Sequence, residues 1–288
     1  MSIKKYLDKL EDMTGKKVLV TGGTSGIGLS IVKHLLVKNA KVVVLARNEK
    51  KANEVKERFL QEYPNNPVGF IKYDQSDDQS VISACETIIK EHRDFFALIM
   101  NAGVFQTKKN LSYTDGYPTT IKTNFVGLKV LLDNLLPSLN EEHRFIFQGS
   151  IVADWLNKRL KTLKDKKVKP FKQYIISKSG VEALYYHYSK CENSNFSFYM
   201  VEPGISGTDI IRDFPTPIRQ LGRGFLKVFS HSPDKAALTA LLALQSSVER
   251  NTYIVPRGLF TWSGYPKIKK FPHKRERTYL YDLLNEAK

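Results

Sequence analysis

Seven runs of continuous, largely β-branched apolar residues, separated by helix-like stretches, constrain this chain more than any other feature. They are KVLVTG (17–22), KVVVLAR (41–47), VGFIKYD (68–74), FFALIMNAG (95–103), RFIFQGS (144–150), FSFYMVEPG (196–204) and TYIVP (252–256). Apolarity at consecutive rather than alternate positions marks strands covered on both faces, the pattern of a parallel sheet. Between them lie helix candidates such as GIGLSIVKHLLVKN, DDQSVISACETIIKEH, TTIKTNFVGLKVLLDNLL, SGVEALYYHYSK and SPDKAALTALLALQSS, the last opening with a Ser-Pro start signal. Strand and helix in alternation predict an α/β, doubly wound parallel sheet of about seven strands with helices on both faces. Such a sheet has a ligand crevice at the strands' carboxyl ends. At 288 residues, one large domain spanning 1–288 is expected rather than two small ones.

The first strand runs into TGGTSGIG (21–28), and a helix pattern starts directly after it. Glycine clusters alone are often ordinary loops. In this place Gly22, Gly26 and Gly28 allow a tight turn and close approach of backbone to a pyrophosphate, with Thr24, Ser25 and Ile27 completing the cradle. The N–H groups of the helix start are then free to bind phosphate. A second pattern lies in QYIISKSGVEALYYHYSK (173–190), where Tyr174 and Lys178 stand four apart. That spacing puts a phenol and an ammonium on one helix face. Tyr185, Tyr186 and Tyr188 lack a lysine four residues on and read as packing or interface residues.

With these motifs the chain resembles the short-chain dehydrogenase/reductase (SDR) family, a group of Rossmann-fold NAD(P)-binding oxidoreductases. The G-x-x-x-G-x-G turn, NAG (101–103), Asn124 in TNFVG, Gly149-Ser150, Tyr174-x-x-x-Lys178 and Pro203-Gly204 followed by Thr208 occur in the family's order, and the likeness covers about residues 15–256. The resemblance implies that Tyr174 is the general acid/base and that Lys178 supplies the cation a phenol of pKa ~10 needs, while also holding the nicotinamide ribose. It implies that Ser150 hydrogen-bonds the developing alkoxide and that Asn124 orients a water relaying protons to Lys178. Asn101, Ala102 and Gly103 would line the cofactor, and Pro203, Gly204 and Thr208 would close over its nicotinamide end. Taken singly, each has a bland alternative: a core aromatic at Tyr174, a strand end at Ser150, a backbone-bridging amide at Asn124.

NAD-preferring members usually end the second strand with an acid that binds the ribose 2′-hydroxyl, whereas this chain places Ala46 and Arg47 there. No carboxylate repels a 2′-phosphate, and Arg47 can pair with one, so NADP(H) is favoured with NAD(H) as the second choice. A merely solvated arginine is the competing reading. Asp74 matches the family's adenine-contacting acid, and a helix N-cap explains it nearly as well.

The 23 residues between Ser150 and Tyr174 make a longer link than in compact members, and together with LARN and the charged tail they look more like the retinol-dehydrogenase and protochlorophyllide-reductase branch. Long loops at 151–172 and 205–230 are expected to shape the substrate pocket, with a basic tail over 257–288. The net charge of +16 concentrates in residues 154–172, with eight Lys/Arg against two Asp, and 267–277, with six against one Glu. Solvated faces are the plainest explanation; an anionic substrate or an acidic membrane surface is the sharper one. A nucleic-acid partner is not expected, because no groove-entering element or stacking platform is present.

Cys85 and Cys191 stand far apart without a CxxC, so neither disulfides nor a metal site is indicated. No apolar run reaches the ~18 residues of a membrane span, and the amino terminus has no apolar leader, so a cytoplasmic protein without integral membrane association is expected. The function implied is an NADP-dependent alcohol dehydrogenase or carbonyl reductase acting on a small carbonyl or alcohol substrate, anionic or hydrophobic, with homo-oligomers an open question. The alternative is a non-catalytic dinucleotide-binding regulatory protein.

Overall fold

The computed structural model describes residues 1–190, 195–205 and 231–286. Thr208, Cys191 and most of the 205–230 loop lie outside them. The strands are β1 (Lys17–Thr21), β2 (Lys41–Ala46), β3 (Gly69–Lys72), β4 (Ala97–Met100), β5 (Tyr113–Thr114), β6 (Tyr117–Pro118), β7 (His143–Gln148), β8 (Phe196–Val201), β9 (Tyr253–Pro256) and β10 (Pro266–Lys269). The described α-helices are α1 (Ile3–Leu7), α2 (Gly26–Val37), α3 (Glu49–Glu62), α4 (Asp78–Glu91), α5 (Thr119–Ile121), α6 (Gly127–Leu135), α7 (Pro170–Ser189), α8 (Pro233–Ala236), α9 (Leu238–Leu242) and α10 (Tyr279–Asn285).

Among the described residues, eight strands form one sheet in the order β10-β9-β8-β7-β4-β1-β2-β3. Seven pair in parallel, as their continuous apolarity predicts. The eighth, β10, is an antiparallel edge strand supplied by the basic tail, with Pro266 opposite Pro256 and Lys269 opposite Tyr253. Its own sequence, Pro-Lys-Ile-Lys, is too short and polar to announce a strand. Exposed Lys269 and half-buried Lys267 on this edge also discourage further strand addition.

Both sheet faces are covered, which explains the consecutive apolar positions. Leu19, Val43, Leu45, Leu98, Phe145 and Phe147 point into one core with residues of α4, α6, α7 and α10. Val18, Val20, Val42, Val44, Ile99 and Ile146 point into the other with residues of α1, α2, α3 and α9. Each fully buried Phe or Leu of this kind contributes roughly 1.5–3 kcal/mol. The SPDKAALTALLALQSS stretch forms two short helices, α8 and α9, instead of one; Ser232 accepts from the Lys235 amide at 3.3 Å as the start signal foretells.

The long basic link begins as a 3-10 turn (Ile151–Trp155) and ends at α7, whose first residue is Pro170. Leu156 and Leu163 anchor it in the core, while Lys158, Arg159, Lys161, Lys164, Lys166, Lys167, Lys169 and Lys172 are all exposed. Such exposure suits a solvated face and an anionic partner alike. Part of the tail is no solvated face, because Arg275 there is only 2% exposed.

Candidate active site

Strand order reverses between β1 and β4, and the residues just beyond these two strands build one wall of the crevice. Gly22 (φ 69°) and Gly26 (φ 54°) both take left-handed conformations that side chains resist. Gly28 meets a closer limit, because a β-carbon there would lie 2.2 Å from the Gly22 carbonyl oxygen and 2.5 Å from Asn101 Nδ2. Asn101 Nδ2 donates to the carbonyls of Thr21 (3.1 Å) and Gly22 (3.4 Å), and the Ala102 amide donates to Thr21 Oγ1 at 2.9 Å. The NAG segment therefore braces the glycine turn. α2 has Ser25 at its N-cap position with no side-chain cap bond and no acid in its first turn, so its dipole and free N–H groups suit an anion such as a pyrophosphate.

At the far end of β2, Arg47 is exposed. Lys72, the last residue of β3 and the register partner of Ala46, donates from Nζ to the Arg47 carbonyl at 2.7 Å. Two cations thus stand where the sequence offered one. Lys72 was legible only as a lysine ending a strand, and pairing register decides its place. Asp74 accepts at Oδ1 from the Ser76 amide (3.0 Å) and hydroxyl (2.7 Å). The N-cap alternative for Asp74 is corrected, since the cap of α4 is Asp77, which accepts from Gln79 and Ser80.

Asn124 sits in a π-helical stretch, Lys122–Val126, between α5 and α6. Such a wide turn often accompanies a functional position. Its Oδ1 accepts from the Val104 amide at 2.7 Å, and its Nδ2 donates to the Val104 carbonyl (2.9 Å) and Ser177 Oγ (3.0 Å). α7 can approach this stretch because Gly180 has no side chain; a β-carbon there would fall 2.3 Å from the Phe125 ring. Across the crevice, a β-carbon on Gly103 would lie 3.4 Å from Asn124 Oδ1 and 3.6 Å from Lys178 Nζ, so these three sequence-predicted positions meet.

Tyr174 and Lys178 both lie on the buried part of α7, each 6% exposed. Burial pushes the Tyr174 phenol up to about 12, and a hydrogen bond with the Ser150 side chain pulls it part of the way back. Phe105 stands edge-on to its ring, with centroids 5.5 Å apart. Burial pulls the Lys178 ammonium down to about 8, with Glu182 opposing that shift. Lys178 Nζ donates to the Gln148 carbonyl at 2.9 Å, at the end of β7. Beyond β8, Gly204 is left-handed (φ 73°), and His231 hydrogen-bonds the Pro203 carbonyl. Tyr185 and Tyr188 are packing residues, their hydroxyls donating to the Asn251 carbonyl (2.8 Å) and Asp133 (2.9 Å).

Asn124, Ser150, Tyr174 and Lys178 converge from three separate elements on one crevice beside an uncapped helix start. Residues 16–217 match the family of short chain dehydrogenases. The chloroplastic short-chain dehydrogenase TIC 32 B of Brassica napus is 30% identical over 253 residues, covering 80% of this chain and 76% of that protein. An uncharacterised oxidoreductase of Schizosaccharomyces pombe is 35% identical over 130 residues, which span 45% of this chain and 38% of that protein. The fold matches a short chain dehydrogenase of Burkholderia cenocepacia solved in complex with NADP, with a TM-score of 0.67 at 21% identity, covering 84% of this chain and 96% of that one. The chain belongs to the short-chain dehydrogenase family of oxidoreductases, which bind NAD(P) and act on small molecules. No helix among the described residues is long and apolar enough to cross a membrane.

Proposed function

We propose that this protein is an NADPH-preferring carbonyl reductase or alcohol dehydrogenase in which Tyr174 moves the proton. The observation that carries the reading is the meeting of Tyr174, Lys178, Ser150 and Asn124 in one buried crevice. The residues present fit the dinucleotide: an uncapped α2 start for the pyrophosphate, Arg47 and Lys72 for a 2′-phosphate, and a Lys178 ammonium for a ribose hydroxyl. Bound NADP(H) supplies the hydride chemistry.

The chain's own residues do the rest. Ser150 and Tyr174 offer two hydroxyl donors to one substrate oxygen, which stabilises charge as it develops there. In this reading the Lys178 ammonium, one turn further along α7, offsets part of the cost that burial imposes on a Tyr174 phenolate. In this reading Asn124, its side chain tied to Val104 and Ser177, holds a water in the path to Lys178. The substrate is a small aldehyde, ketone or alcohol, and the apolar Phe105 beside Tyr174 favours one with a hydrophobic part. A reducing compartment such as the cytoplasm suits the free, buried Cys85.

Titration with NADPH and NADH side by side tests the cofactor assignment. NADPH should bind roughly tenfold or more tightly, because its 2′-phosphate makes charge-assisted contacts that NADH lacks. Arg47→Asp should reverse that order, and Lys72→Ala should narrow it. Equal binding of both cofactors by the wild-type protein removes the NADP preference, and binding of neither removes the dinucleotide site.

A further inference from the structure

The basic tail returns to the sheet and inserts one arginine beneath the crevice. Arg275 lies in a short turn, His273–Arg275, between β10 and α10, and is almost completely buried. Its Nε donates to Glu182 Oε2 at 3.0 Å, its Nη1 to the Tyr253 hydroxyl at 2.7 Å, and its Nη2 to the Ser150 carbonyl at 3.2 Å. Nη2 also bonds Glu182 Oε1 and Glu202 Oε1. One planar fork therefore joins the end of β7, the end of β8, the start of β9 and the middle of α7. These are the elements that carry Ser150, Pro203-Gly204 and the Tyr174–Lys178 pair.

Glu182 gives this junction its chemical meaning. Tyr174, Lys178 and Glu182 follow at four-residue spacing on α7, so they stack along one helix face. Both carboxylates in the junction are fully buried, Glu182 at 0% and Glu202 at 1% exposure. Burial pushes the Glu182 carboxyl up to about 8, Arg275 is the foremost group pulling it back down, and Glu202 adds to the rise, so its carboxylate form depends on the bonded arginine. The charges facing the cluster are Asp154 from the turn after β7, Glu202 after β8, and Lys274 and Arg277 from the tail itself; Arg277 reaches Glu182 Oε2 at 3.4 Å, and Lys274 reaches Asp154 at 3.1 Å. Around Lys178 the neighbours are Tyr174 and Glu182 on its own helix, Asn124 across the crevice and the Gln148 carbonyl.

We propose that Arg275 is a positioning residue for the acid–base site, favouring the carboxylate form of Glu182 behind Lys178 and fixing the Ser150 backbone opposite Tyr174. It touches neither substrate nor cofactor. It acts through Glu182, whose carboxylate favours the Lys178 cation, and through Ser150, whose hydroxyl must stay aligned with the phenol. This inference rests on the reading of Tyr174 as the proton-transfer group.

Two variants test it. Glu182→Gln keeps the shape and hydrogen-bonding reach of the side chain and removes its charge. In protein carrying ε-carbon-13 lysine, with the Lys178 signal assigned by Lys178→Arg, its titration midpoint should move down from that of the wild-type protein, because Glu182 acts to raise it. Turnover of NADPH with the best substrate from an aldehyde and ketone panel should fall roughly tenfold, with NADPH affinity unchanged. Arg275→Gly should lose on the order of 100-fold in kcat, and millimolar guanidinium, unlike sodium at equal ionic strength, should restore part of it. Should Arg275→Gly fail to fold, the Glu182→Gln titration decides. A wild-type Lys178 midpoint in Glu182→Gln, or wild-type kcat in folded Arg275→Gly, overturns the proposal while an inactive Tyr174→Phe leaves the acid–base reading standing. Full turnover by Tyr174→Phe overturns that reading and this inference together.

Discussion

Replacing Tyr174 with phenylalanine is expected to reduce kcat by on the order of 10²- to 10⁴-fold, the usual contribution of a positioned acid or base. NADPH affinity should stay within about twofold. The two effects separate because only the hydroxyl is lost. The ring keeps its edge-on contact with Phe105 at 5.5 Å, and Lys178 keeps its bond to the Gln148 carbonyl at 2.9 Å. Stability should change by about 1 kcal/mol or less, the worth of one hydrogen bond to Ser150. Steady-state kinetics on a carbonyl panel, paired with NADPH fluorescence titration of the same preparation, makes the check. Turnover equal to wild type would mean that the proton travels by another route.

Gly28→Ala should act on the opposite half of the crevice, with NADPH binding weakened on the order of 100-fold and the melting temperature lowered by several degrees. The added methyl would sit 2.2 Å from the Gly22 carbonyl oxygen and 2.5 Å from Asn101 Nδ2. Neither neighbour can yield freely. Gly22 is tied through its amide to the Leu45 carbonyl at 2.8 Å, and Asn101 holds the Thr21 carbonyl at 3.1 Å. The turn must therefore open, at about 1–3 kcal/mol for overpacking of this kind, and the α2 N–H groups move away from the phosphates they would bind. Thermal melts with and without NADPH separate the two losses. An unchanged melting temperature together with unchanged NADPH affinity would show that this close approach has slack and does not shape the cradle.

Much of this architecture was legible in the chain. Seven of the eight main-sheet strands follow from runs such as KVLVTG and RFIFQGS, because a strand covered on both faces must be apolar at every position. The glycine turn was equally legible, since Gly22 and Gly26 take positive φ and Gly28 tolerates no β-carbon. The Tyr174–Lys178 pair was legible because helical spacing is a local rule. What was missed is non-local. Nothing in PKIK marks an antiparallel edge strand, and nothing in KIKKFPHKRER distinguishes Arg275 from the solvated lysines around it. Lys72 comes beside Arg47 only through the register of β2 with β3.

By itself, then, the sequence determined the alternation of strands and helices, the glycine-rich turn and the helical spacing of Tyr174 and Lys178. Each is set by periodicity or backbone freedom within a few residues. The tertiary structure alone decided which charges are buried and with whom. Arg275 lies 93 residues from Glu182, 73 from Glu202 and 125 from Ser150, and only closure of the fold brings them within hydrogen-bonding distance. Charge burial is a property of that closure, because the cost of removing an ion from water is offset only by partners that the chain cannot display in one stretch.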